Sequence, residues 1–158
     1  MAPNDSYLLG AYADFLLDQK RASEVLTLLR DQSRIDALLL QRQRTPQQQG
    51  GNAGTLAADV KELAARFDAA ALRGDTVHQR EQARFELLLR RDVPTALALA
   101  KKNWAVQKEP ADIRIYLEAA VMARDAVAAK PVIDWVTRHK IEDITAQRLI
   151  RQLTNGTT

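Results

Sequence analysis

Cysteine is absent from the 158 residues, which excludes a disulfide scaffold and a thiolate metal site. Histidine occurs only at His78 and His139. A metal ion needs three or four converging ligands, so no metal or cofactor is expected. Aromatic residues make up 5% of the chain while apolar residues make up 46%. Ala and Leu must therefore fill the core, which suits closely packed helices and not a β-sandwich. Glycine (6) and proline (5) are few, leaving long stretches uninterrupted. No apolar run approaches the roughly 20 residues that cross a bilayer, so no membrane span is expected. An excess of one charge is also missing, with 23 basic against 20 acidic residues. The arginines at 42, 44, 66, 73, 80, 84, 90 and 91 are interleaved with Glu and Asp and have few aromatic neighbours. Nucleic-acid binding needs a stripe of one sign and is not expected.

What the chain has instead is a repeat. Arg91-Asp92 is followed by Ala96, and Arg124-Asp125 by Ala129, an offset of 33 residues (129 − 96). Helical apolar spacing precedes each Arg-Asp and follows each Ala. This offset is close to the roughly 34-residue period of tetratricopeptide helix pairs. Stacked helix pairs make a binding surface more often than a reaction centre.

The periodicity predicts an all-α chain. Tyr7, Leu8, Ala11, Tyr12, Phe15 and Leu16 form the face of a first helix, and a second runs from Ala22 to Gln32. Asp36 is read as opening a third. Residues 45–54 carry three consecutive Gln with Pro and Gly, and read as a flexible loop. A long helix follows from Leu56 to Arg73, closed by Gly74, and a fifth from Val77 to Arg91. Pro94 falls in the first turn of the sixth, where a missing N–H costs little. A seventh spans Ile113 to Ala123. An eighth starts near Ala126, with Pro131 expected in its first turn. A last amphipathic stretch, Ile144 to Leu153, closes the chain.

The segment Gln82 to Leu97, with small Ala83, large Leu87 and small Ala96 in order, resembles the tetratricopeptide repeat. Pro110 falls near that family's terminal proline. On these residues the chain resembles the C-terminal part of a bacterial tetratricopeptide-repeat protein. The resemblance implies an α-solenoid of about four hairpins plus a C-terminal capping helix, forming one domain over residues 1–158. It implies first helices lining a concave surface. Carried over position by position, it points to Tyr7 and Asp14 on the first helix, to His78, Glu81 and Phe85 on the fifth, and to Arg114 and Glu118 on the seventh. It also implies a scaffold or adaptor that binds a protein or peptide without catalysis. The Lys/Asn arrangement that clamps a terminal carboxylate in some members is missing. A second reading makes the chain a non-catalytic helical auxiliary domain of a larger enzyme or assembly. Homo-oligomerisation is a third, since an unfinished solenoid end exposes apolar surface.

Catalytic patterns do not emerge. Gly50-Gly51-Asn52-Ala53-Gly54 lacks the Lys-Ser/Thr of a phosphate loop. Ser6, Ser23 and Ser33 stand in capping or helix-surface contexts with no nucleophile elbow. Trp104 and Trp135 read as packing residues, and His139 as a cation at a helix C-terminus. Met1-Ala2-Pro3-Asn4 lacks the basic and apolar regions of a signal peptide. A soluble protein is expected, cytoplasmic, or periplasmic if an upstream signal has been removed. Because loop-closure entropy varies slowly with length, shortening residues 45–54 should change stability by less than about 1 kcal/mol. Urea unfolding of the shortened chain checks this, and a loss of several kcal/mol would mean the segment packs.

Overall fold

Helix stops repeat in this protein with more regularity than helix starts. The computed structural model describes residues 30–39, 42, 53–76 and 78–155, and every regular element among them is helical. The predicted loop 45–54 lies largely outside the described residues, as do Tyr7 and Asp14. The chain divides into two compact units, Met1–Glu81 and Gln82–Thr158.

In the first unit, residues 30–39 form one helical stretch. No new helix opens at Asp36, contrary to the sequence reading. Asp31, Ile35 and Leu38 are all buried, and their four- and three-residue spacing makes one continuous face through that point. Helix α1 (Ala53–Leu72) buries Leu63 and Phe67, while Leu72 is 90% exposed. Arg66 Nη2 reaches Asp31 Oδ1 at 2.7 Å, and Arg34 lies 3.7 Å from Asp59 and 3.6 Å from Glu62. These ion pairs tie the stretch 30–39 to α1. The stop after α1 is Gly74 at φ +74, with the Asp75 N–H donating to the Ala70 carbonyl at 3.0 Å. That left-handed residue and five-residue return bond are the Schellman termination, for which glycine carries no Cβ penalty.

Helix α2 (Gln79–Phe85) runs directly into a π-helical turn, Glu86–Arg90. It is followed by α3 (Val93–Val106), α4 (Pro110–Ala123), α5 (Ala126–Arg138) and α6 (Ile144–Asn155). The repeat noticed in the sequence is a repeat of geometry. Arg91 (φ 62) and Arg124 (φ 53) both stop a helix in the left-handed conformation. Asp92 and Asp125 both cap the next helix: the Asp92 carboxylate accepts from Thr95 N at 3.1 Å, and that of Asp125 from Ala128 N at 2.8 Å. Ala96 and Ala129 are both fully buried. The copies differ in one respect. Asp125 N–H returns to Ala120 O, five residues back, whereas Asp92 N–H returns to Glu86 O, six back. The π turn supplies the additional residue.

The core of the second unit centres on α4, which packs against α3, α5 and α6. Ile113, Ile115, Tyr116, Leu117, Ala119 and Ala120 of this helix are buried. α3 contributes Ala96, Leu97, Ala100 and Trp104, α5 Ala128, Ala129, Val132 and Val136, and α6 Ala146, Leu149 and Leu153. The α3–α4 turn is fixed from inside. Asn103 Nδ2 donates to Asp112 Oδ1 at 2.7 Å, and Glu109 N donates to Asp112 Oδ2 at 2.8 Å. Pro94 lies in the first turn of α3, as expected. Pro131 does not lie in the first turn of α5 but further inside the helix. Lacking an N–H, it leaves the Val127 carbonyl without its intrahelical donor. Val127 is 83% exposed, so this part of the helix faces solvent.

Two hydrogen bonds from Thr95, through its hydroxyl at 2.8 Å and its N–H, hold the Asp92 carboxyl below its ordinary value of 3.8. The cap is therefore at full strength above that value and is lost as pH falls through the depressed one.

Ala96 and Ala129 occupy equivalent buried positions where added methylenes have no room. Replacing either with Leu should destabilise by about 1–3 kcal/mol through overpacking. Denaturant unfolding of the two variants checks this, and unchanged midpoints for both would show that the two sites tolerate bulk.

Candidate functional site

The predicted contact residues separate into buried and exposed groups. Helix α4 shows the exposed group. With three neighbours packed around it, the helix keeps only a narrow strip in solvent. Arg114 is exposed, Glu118 is half-buried, and Met122 follows at 42% exposure. The four-residue spacing places them in one row along the helix. Arg114 Nε donates to Glu118 Oε1 at 2.9 Å. The row thus presents a charged pair with a polarisable thioether beyond it.

His78, Glu81 and Phe85 are buried, which corrects the expectation that they point outward. Phe85 is 0% exposed and Glu81 2%. The segment carrying them buries Ala83, Phe85, Leu87 and Leu89 as well. The segment is buried on several sides, so polar residues are taken inside with its apolar ones. Buried charge then needs a partner. His78 lies between two carboxylates, Nδ1 at 3.8 Å from Asp31 and Nε2 at 3.6 Å from Asp75. Arg80 Nε donates to Glu81 Oε1 at 3.1 Å. These groups therefore face one another in the interior and not solvent.

A second cluster was not visible as a site in the sequence. Trp104, near the end of α3, lies edge-on to Tyr116 at 6.1 Å and to Trp135 at 5.9 Å. Trp135 in turn stacks on His139, the residue that caps the C-terminus of α5, at 3.8 Å. Lys108 Nζ lies 5.5 Å from the Trp104 ring centre and 5.6 Å from that of Trp135, within cation–π range. His139 Nδ1 is 2.9 Å from the Trp135 carbonyl. A carbonyl only accepts, so Nδ1 carries the hydrogen and Nε2 is the remaining polar edge. Trp104 is buried and Trp135 half-buried, while Lys108 and His139 are exposed. A signal for this cluster exists in the sequence: Trp104-x-x-x-Lys108 and Trp135-x-x-x-His139 share a four-residue spacing and lie 31 residues apart (135 − 104). Trp104 is packed in the core and His139 stands at a helix C-terminus, but reading each residue singly hides their combination.

Tyr116 anchors the cluster, its hydroxyl donating to the Ala128 carbonyl at 2.9 Å. Burial raises its phenol above the ordinary value of 10.0, and the Asp125 carboxylate adds to the shift. A raised phenol stabilises the fold fully below pH 10 and less as pH rises through the raised value. Tyr116→Phe should cost about 1 kcal/mol at neutral pH, the net worth of a buried hydrogen bond. Urea unfolding at neutral and alkaline pH checks both points: the gap between parent and variant should narrow as the phenol ionises. Compared with known proteins, the chain matches no family model, no curated protein and no solved structure.

Proposed function

We propose that this chain is a non-catalytic scaffold or adaptor of tetratricopeptide-like architecture, a solenoid of helix hairpins that binds a protein or peptide. The observation that carries this reading is the recurrence of one structural unit 33 residues on (124 − 91): a left-handed Arg stop, an Asp cap and a buried Ala. Units that repeat in register stack in register, and a stack exposes one strip from each first helix. The packing of α4 against both α3 and α6 supports that order. The strip that such a stack would contribute here is Arg114, Glu118 and Met122. Its charged pair supplies orientation and its methionine supplies adaptable apolar contact.

The test exchanges the two charges. The double variant Arg114→Glu, Glu118→Arg keeps an ion pair at four-residue spacing and places the acid on the N-terminal side, the better order on a helix. Helicity and melting should stay at parental values. In a pull-down compared with the parent, the principal partner should be lost or fall by about tenfold, since like charges would now face each other across the interface. Equal recovery of every partner by parent and variant would remove α4 from the binding surface.

A further inference from the structure

Most acidic side chains in residues 82–158 are engaged within the fold, while Glu142 is exposed. Asp92, Asp125 and Asp143 accept from backbone N–H groups at the starts of α3, α5 and α6. Asp112 is buried against Asn103. Glu86 pairs with Arg90, Glu118 with Arg114, and Asp134 with Lys130, each four residues along its own helical segment. Not every basic residue is used in this way. Lys108, Arg138 and Lys140 are exposed and form no ion pair among the described residues. Residues 82–158 carry 13 Lys and Arg against 9 Asp and Glu, a formal net charge of +4 (13 − 9).

One of those cations is part of the tryptophan cluster. Lys108 lies over both indoles, and Arg138 and Lys140 adjoin His139 in the chain. We infer that the Trp104–Trp135–His139 stack with Lys108 is a docking site for an acidic peptide segment of a partner protein. Two properties fit that occupant. The Lys108 ammonium is held by two aromatic rings, so less side-chain freedom is lost when a carboxylate engages it. The half-buried Trp135 offers apolar surface beside the charge, and a Trp partly sunk in its own protein is the kind of residue on which interface energy concentrates.

Ring geometry favours a peptide over single-stranded nucleic acid. A base needs an open aromatic face on which to stack. One face of Trp135 is taken by His139 at 3.8 Å, and Lys108 lies over both indoles. What remains open is a polar edge and a cation, the complement of a carboxylate. His139 adds a second donor through Nε2 in its imidazolium form. This site is separate from the strip on α4 and does not depend on it.

The protein supplies its own reporter, because the chain has only 2 tryptophans and both lie in the site. The experiment titrates the full chain with a tryptophan-free peptide of alternating glutamate and leucine and follows indole emission. A saturable change is expected, and it should weaken as salt is raised. Lys108→Met keeps the apolar stem and removes the charge, and should weaken binding by about tenfold. Lys108→Arg should retain binding, and Lys130→Met, whose partner Asp134 is on its own helix, should leave it unchanged. Melting curves on each variant separate lost binding from lost fold. The proposal is overturned by the absence of a saturable change. It is overturned equally if Lys108→Met binds like the parent, if Lys108→Arg falls as far as Lys108→Met, or if oligothymidylate binds as tightly as the peptide.

Discussion

The hydrogen bond from Asn103 to Asp112 is the constraint on which the second unit rests. Both side chains are almost fully buried, and a buried carboxylate without a partner would oppose folding by several kcal/mol. The bond therefore forms only when the end of α3 and the start of α4 meet in one register. Asp112 also accepts from the Glu109 backbone, so the same carboxylate that joins the helices starts the second of them. With the start of α4 set, Tyr116 comes under the Ala128 carbonyl and brings α5 into place. An apolar pair at these positions would bury as well, but it would accept many offsets. A short polar link accepts one.

How much of this was legible in the sequence depended on whether the cause was local. The 33-residue recurrence was legible because it rests on Asp92, Asp125, Ala96 and Ala129, residues that act within one turn of themselves. Pro94 was legible for the same reason. Pro131 was not, because its tolerance depends on which side of α5 faces water. The π turn was not legible either. Leu87-Leu88-Leu89 reads as ordinary helix, and only the packing around it decides that one more residue is needed before Arg91 can turn. In the first unit, Asp36 looked like a helix start because Asp is a common cap. The burial of Ile35 and Leu38 overrode that preference.

The candidate site was legible where side chains leave a surrounded helix and illegible where a helix is itself taken inside. Arg114 and Glu118 fall on the one strip that α4 keeps in solvent. His78, Glu81 and Phe85 sit on a segment that is largely buried, and polarity alone could not show that Asp31 and Asp75 would lie beside His78 and Arg80 beside Glu81. The tryptophan cluster was hidden differently. Each half shows a four-residue spacing, but Lys108 lies beyond the end of its helix, and Trp104 and Trp135 come from helices that do not follow each other in the chain.

Among the described residues, the three non-glycine residues with positive φ are Arg91, Arg124 and Lys140, all basic. A left-handed conformation costs an L-residue about 1 kcal/mol. A cation at a helix C-terminus returns about 0.3–1 kcal/mol by opposing the helix dipole. The two nearly cancel, so exchange for glycine at these points would leave folding almost untouched while removing a positive charge from the surface. The helix stops are thus places where evolution can tune the charge of this protein independently of its stability. Drift toward glycine would be nearly silent in folding, and the retention of basic residues across related chains would have to be explained by what the surface meets.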